Sequence, residues 1–421
     1  MDSAEEETLG PQKGDFKSGF VSILGNPNVG KSTLINALLN ETLCIVSPKP
    51  QTTRHRILGV LTDKNYQLVF SDTPGMIEPA YKLQEAMMDS VRGAVGDADV
   101  ILLVSDVYGE PLVDKTIMEK LTVTSRPILV VVNKVDLISG DTAGIIEEAA
   151  AGTASAYAVA DAAFESAAAA NAIEVVKQRD AASATATMES KLSFKRKLLL
   201  RRSTSASKSG DSDPALAASS SPAGGDGEGD GNTGAEDSNA KEKVEKVPKI
   251  KTVAELSALW AKRLPRAEVV PISATSRLGI DHVLTRLLAH MQQGPKYFTQ
   301  DTLTNRDERF FTGEIIREAV FHIYKDEVPY SCEVVIDSFK DKTPTLSVIE
   351  ACIVVSKDSQ KAILIGRGGL KLKELGIAAR AKLESFLTRK VFLSLHVRVD
   401  EDWRASSDSL AKYGYVESDF G

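Results

Sequence analysis

The chain has little cysteine and no long apolar run. Its three cysteines, Cys44, Cys332 and Cys352, are scattered, with no CxxC and no Cys/His spacing. That pattern fits a reducing compartment and no zinc site. The longest purely aliphatic runs, Val100 to Val104 and Ile128 to Val132, are five residues each. A bilayer crossing needs ~20, so no transmembrane helix is expected. The start, Met1 to Gly14, is acidic and lacks an apolar core. It reads as neither a signal peptide nor an Arg/Ser-rich transit peptide, and residues 1–16 are expected to be disordered.

The bulk composition is ordinary. The chain has 421 residues, 43% apolar and 26% charged, which suits two or three soluble domains. A net charge of −7 argues against a nucleic-acid partner until it is read along the chain. From Lys357 to Arg398 there are ten cations and three anions, a local +7. A basic segment inside an acidic chain points to a local anionic partner.

Three textures follow one another. Residues 16–138 alternate short apolar strands with helical patterns, which predicts an α/β fold with a mainly parallel sheet. Alanine then fills 26 of the 100 positions from 141 to 240, and Ser203 to Asn239 is rich in Ser, Gly and Asp. Such a segment buries too little apolar surface to offset its ordering entropy. An α/β texture resumes at Thr252, and a different one occupies 305–421. The strands ILVVVNKVD and AEVVPISAT make sense as neighbours in one sheet, so 139–250 reads as an insertion within one domain. Long insertions are tolerated because closure entropy grows only logarithmically with length.

After the strand Phe20 to Leu24 comes Gly25-Asn26-Pro27-Asn28-Val29-Gly30-Lys31-Ser32, followed by a helical run from Thr33. This is GxxxxGKS in a strand–loop–helix context. The glycines let backbone N–H groups face phosphates. Lys31 can reach the β- and γ-phosphates and Ser32 can hold Mg²⁺, with the helix N-terminus adding a favourable field. Asp72-Thr73-Pro74-Gly75 follows the strand Gln67 to Phe70. Asp72 can hold the Mg²⁺ water shell, and the Gly75 N–H can sense a γ-phosphate. Between them, in Pro50-Gln51-Thr52-Thr53-Arg54-His55, either Thr52 or Thr53 can complete the metal coordination. Asn133-Lys134-Val135-Asp136 and Ser273-Ala274-Thr275 each follow a further strand. The Asp136 carboxylate matches the guanine N1–H and exocyclic amine, which adenine does not offer. Asn133 can steady the loop and the purine, Lys134 can lie along the base, and a backbone N–H of 273–275 can meet guanine O6. Met76 occupies the position where Ras-like GTPases carry a water-orienting glutamine, which predicts slow unaided hydrolysis. A resemblance to GxPNxGKS GTPases suggests a K⁺ ion held by Asn28 as one candidate for assistance.

Further on, Ser359 to Ile365 reads as a short helix. It leads into Gly366-Arg367-Gly368-Gly369, a long helix to Thr388 and a strand from Val391 to Val399. Helix–GxxG–helix framed by strands, preceded by a helix over Phe310 to His322, resembles a type II KH domain. Its glycines admit the backbone of single-stranded RNA. Arg367 and Lys371 would meet phosphates, with Lys361 and Lys373 nearby.

The chain resembles the Era family of GTPases over residues ~17–138 and 252–415. Beyond the nucleotide motifs, the resemblance rests on SPKPQTTRHRILGV, DERFFTGEIIREA, EVPYSCEVVI, ILIGRGGLKLKELG and KYGY. The stretches VSKDSQKAILIGRGG and KVFLSLHVRVDEDWR are most similar to chloroplast Era-like proteins of plants and algae. The resemblance implies a Ras-like P-loop GTPase domain over 17–294, interrupted by 139–250, and an α+β type II KH domain over 295–421. It implies GTP/GDP and Mg²⁺ as ligands, with nucleotide binding over Gly25 to Thr33, Asp72 to Met76, Asn133 to Asp136 and Ser273 to Thr275. It implies the 3′ end of small-subunit ribosomal RNA and the small subunit as partners, with GTP favouring the RNA-binding state. It places the protein in the chloroplast stroma, with the cytoplasm or mitochondrion as alternatives. The basic run Lys195 to Arg202 suits RNA or peripheral contact with an anionic membrane. Two other readings are an RNA-binding protein with a purely structural nucleotide site, and a related GTPase in tRNA modification or membrane processes.

Overall fold

A computed structural model describes residues 16–138 and 251–415. The expectations for 1–15, for the 139–250 insertion and for its basic run lie outside the described residues. Six strands form the first sheet: β1 (Lys17–Leu24), β2 (Ile57–Thr62), β3 (Tyr66–Asp72), β4 (Val100–Asp106), β5 (Ile128–Asn133) and β6 (Glu268–Pro271). Their order is β2-β3-β1-β4-β5-β6. Only β2 runs antiparallel, paired with β3. The strands that flank the insertion, β5 and β6, are direct parallel neighbours, with Leu129 opposite Glu268 and Val132 opposite Pro271.

Central strands buried on both sides read as apolar runs because helices cover both faces. Leu102 and Val104 of β4 face α1 (Lys31–Leu39) and α5 (Ile280–His290), through Leu34, Leu38, Val283 and Leu287. Ile101 and Leu103 face α2 (Lys82–Asp97), α3 (Lys115–Val123) and α4 (Val253–Arg263), through Met87, Val91, Ile117 and Trp260. A capping box between Thr252 and Glu255 starts α4 where the described chain resumes.

The second unit begins with α6 (Glu308–Ile323), capped by Asp307, and the single turn α7 (Val328–Ser331). The strands β7 (Glu333–Thr343), β8 (Leu346–Val355) and β9 (Lys390–Val399) form a sheet in that order. β7 pairs antiparallel with β8, and β8 pairs parallel with β9. The parallel pair needs a crossover, supplied by α8 (Asp358–Ile365) and α9 (Leu370–Leu387). With α6 they cover one sheet face and bury Ile349, Ile353, Leu364, Leu375 and Leu383. A final short helix, α10 (Ser407–Lys412), follows β9. All three cysteines are buried free thiols. No helix among the described residues is long and apolar enough to cross a membrane.

The two units touch at α2, and the segment leading into α6 runs along the edge strand β2. The Val60 N–H of β2 donates to Leu303 O at 2.7 Å, and the Leu83 N–H of α2 donates to Arg404 O at 3.0 Å.

Candidate functional site

The carboxyl ends of β1, β3, β5 and β6 converge on one rim, the expected ligand edge of an open α/β sheet. The loop from Gly25 to Gly30 leaves β1 there and feeds α1. Gly25 has φ +151, and a Cβ on it would stand 2.3 Å from Val104 O. Gly30 has φ +96, and its Cβ would stand 2.2 Å from Asn133 Nδ2. Neither position admits a side chain. Gly75 passes so close that a Cβ would stand 2.8 Å from Pro27 Cα. A cavity of about 390 Å³ opens here, walled by the Pro27–Thr33 segment, residues 45–53, Gly75, Lys134 and Thr275.

The buried Lys31 Nζ donates to the carbonyls of Gly25 (3.1 Å) and Asn26 (2.9 Å). Burial lowers its ammonium to about 8, against the pull of Asp72. Ser32 Oγ stands 2.9 Å from Thr53 Oγ1 and donates to Asp72 Oδ2 at 2.9 Å. Thr53 Oγ1 also donates to Asp72 Oδ2, at 3.4 Å. Burial raises the Asp72 carboxyl, while Lys31 and the Ser32 hydroxyl pull it back. The other carboxylate oxygen, Asp72 Oδ1, is buried without a hydrogen-bond partner. Two hydroxyls and a buried carboxylate with an unsatisfied oxygen form a hard-oxygen donor set that fits Mg²⁺.

The base end is equally built. Asn133 Nδ2 donates to Val29 O at 2.9 Å, and its Oδ1 accepts from the Ala274 N–H at 3.0 Å. One side chain thereby fixes the phosphate loop to the 273–275 loop. Lys134 takes φ +66 and pairs with Asp106 at 3.2 Å. Asp136 is exposed, and Ser273 Oγ donates to its Oδ1 at 2.6 Å. Thr275 Oγ1 lies 3.2 Å from Ser273 Oγ.

Thr52 drops out as a metal-ligand candidate, and three further motif side chains face the scaffold. Thr52 does not join the oxygen cluster, because its hydroxyl donates to Lys49 O at 2.8 Å. The Asn26 side chain turns away, donating to Pro111 O and accepting from the Val113 N–H. The Thr73 hydroxyl donates to Ile23 O at 2.6 Å, tying the turn to β1. Met76 is wholly buried beside Met87 and Met88, and only its N–H reaches the loop, donating to Gly25 O at 3.1 Å. Apolar packing takes that side chain into the core, away from any ligand.

In the second unit Gly366, Gly368 and Gly369 take φ +68, +59 and +77 between α8 and α9. Arg367, Lys371 and Lys373 are exposed, and Lys361 is half-buried. Sequence reasoning missed the exposed apolar residues Ile363, Leu370 and Ile377 around this loop. Their signal was apolar residues interleaved in sequence with Lys361, Arg367, Lys371 and Lys373, against which a nucleobase could pack.

It also missed a plug between the two units. Arg54 is 3% exposed and donates to the carbonyls of Cys332 (2.6 Å), Pro329 (3.2 Å) and Tyr330 (3.1 Å). It also pairs with Glu333 at 3.1 Å. His55 stacks on Tyr415 with centroids 4.4 Å apart and meets the edge of Phe310. Burial pushes its imidazole down to about 4. The segment that supplies Thr53 to the phosphate end is therefore anchored in the second unit by its next two residues.

Residues 20–134 match the family described as 50S ribosome-binding GTPase, and residues 327–404 match the KH domain family. A chloroplastic GTPase ERA-like protein of rice is 32% identical over 99% of this chain and 73% of its own length. GTPase Era of Geobacter metallireducens is 32% identical over 95% of this chain and 98% of its own. Among solved structures, Era in complex with MgGDPNP and nucleotides 1506–1542 of 16S ribosomal RNA aligns with a TM-score of 0.65 at 27% identity. It covers 96% of this chain and all of that one. A point variant of Aquifex aeolicus Era bound to GDP·AlF4⁻ aligns with a TM-score of 0.67 over the same shares. With its P-loop site on the first sheet, its glycine loop on the second and relatives matched along nearly the whole chain, this protein belongs to the Era family of GTPases.

Proposed function

We propose that this chain is a GTP-driven assembly factor of the small ribosomal subunit, gripping the 3′ end of its ribosomal RNA through the Gly366–Gly369 loop. The observation that carries this reading is the Thr53-Arg54-His55 segment. It belongs at once to the hydroxyl cluster of the nucleotide site and to the body of the RNA-binding unit. Ordering of such a segment by γ-phosphate is a common way for a GTPase to signal. Within the site, Ser32 and Thr53 would hold Mg²⁺, with the Asp72 carboxylate beside them. Lys31 neutralises charge on the β- and γ-phosphates, and Asp136 selects guanine. When bound, the metal ion neutralises charge that develops on the transferred phosphoryl group. The division into a nucleotide domain ending near residue 294 and an RNA-binding domain from residue 295 follows the same reading.

The RNA seen with the solved Era relative supports this partner. The test is binding of a small-subunit 3′-end RNA to the full chain with GDPNP or GDP. GDPNP should tighten binding by a factor in the range of ~5 to ~150, and equal affinity would overturn the reading. A K⁺ ion at Asn28 is part of the proposal. Its side chain bonds Pro48 O at 3.0 Å, joining the phosphate loop to the segment before Thr53. Exchanging K⁺ for Na⁺ should lower kcat, and an unchanged kcat removes the ion. The chloroplastic rice and maize relatives favour the plastid stroma.

A further inference from the structure

Two features meet at one buried tyrosine. Lys49, four residues before Thr53, extends its ammonium to the end of α6. There it donates to Phe321 O at 2.5 Å and to Tyr324 O. The last carbonyls of a helix are unpaired acceptors at the negative end of its dipole, so a cation is favoured there. The Lys49 carbonyl accepts the Thr52 hydroxyl, which closes the turn next to Thr53.

Tyr324, which caps α6, is 2% exposed. Its hydroxyl donates to Leu364 O at 2.8 Å, in the last turn of α8 and two residues before Gly366. Burial raises that hydroxyl to about 12, so it stays a donor. Its ring lies 5.8 Å under the Lys371 ammonium, two residues after Gly369. The tyrosine therefore holds the glycine loop on both flanks, and its own carbonyl is held by the threonine segment of the nucleotide site.

We propose that Tyr324 is a positioning residue for the Gly366–Gly369 loop and that Lys49 and Tyr324 together transmit the state of the Thr53 segment to that loop. This rests on the reading that GTP favours RNA binding. Tyr324 fixes where the last turn of α8 ends, and hence the angle at which Gly366 leaves it. The ring restrains Lys371, whose charge the RNA backbone would meet. A shift of Lys49 pulls on the end of α6 and so on both restraints.

The test uses the full chain and a single-stranded RNA of the small-subunit 3′ end, with affinity read in saturating GDPNP and in GDP. Tyr324→Phe keeps the ring and removes the hydroxyl bond to Leu364. Its GDPNP-over-GDP affinity ratio should fall about fivefold, the worth of one net hydrogen bond, with GTP hydrolysis in the absence of RNA unchanged. Lys49→Met leaves the Tyr324 hydroxyl in place and should lower the ratio by a similar factor. It also reads the same link should Tyr324→Phe melt below the assay temperature. If Tyr324→Phe weakens RNA binding equally in both nucleotide states, the tyrosine is merely structural and the proposal falls. A wild-type ratio of one overturns the parent reading, and this proposal with it.

Discussion

Asp136 is where a single atom exchange changes which base fits. Its carboxylate, held by Ser273, faces outward from the rim beside Thr275. Asp136→Asn presents an amide N–H where guanine offers its amine. GTP affinity should fall ~100-fold, about 2.8 kcal/mol, while xanthosine triphosphate, which carries a carbonyl there, should gain. Nucleotide titration by fluorescence checks both, and unchanged GTP affinity would mean another group reads the base. At this scale the motif residues were legible because phosphate, metal and base each demand a fixed residue type. The direction of individual side chains was not. Asn26, Thr52, Thr73 and Met76 sit inside motifs yet face scaffold partners, and motif spacing carries no information on rotamers.

At the scale of elements, strand-to-loop junctions decide whether the site forms. Gly25 combines a positive φ with backbone contact to β4. Gly25→Ala should destabilise the protein by about 2 kcal/mol or more and abolish nucleotide binding, as read by urea unfolding and nucleotide titration. Wild-type stability would show that the loop can relax. Helix positions were well marked by apolar periodicity. The expected Phe310 to His322 is observed as Glu308–Ile323, and Ser359 to Ile365 as Asp358–Ile365. β7, Glu333–Thr343, is the strand whose full length the sequence pattern does not mark. Register shifts at Ile336/Ser338 and Asp341/Thr343 break the two-residue alternation, and the distal half is polar and partly exposed. Such a strand loses its pattern although the ladder persists.

At the scale of the whole molecule, the contact between the units was not legible. Arg54 finds partners around residues 329–333, a sequence separation no local pattern encodes. Its burial nonetheless has a measurable signature through its neighbour. His55 falls from 6.5 to about 4, chiefly by burial, with Arg317 and Arg306 opposing the carboxylates of Glu333 and Glu314. Between those values the unfolded chain binds a proton that the folded one does not. The favourable contribution is complete above pH 6.5 and is lost as pH falls toward 4. Between about pH 7 and pH 5, the wild type should lose about 2 kcal/mol more than His55→Phe. Urea unfolding at the two pH values measures this, and parallel losses would show that His55 is not the proton acceptor. A last consequence comes from β5 and β6. The described chain stops at Ile138 and resumes at Lys251, whose N–H donates to Val107 O just past β4. Both ends thus lie at the carboxyl rim of the sheet. A backbone cut between Ile138 and Lys251 breaks no strand pairing among the described residues, yet it leaves Asn133 and Asp136 on one fragment and Ser273 to Thr275 on the other. Guanine binding then becomes a complementation assay, whose signal returns only when the two polypeptides reassemble.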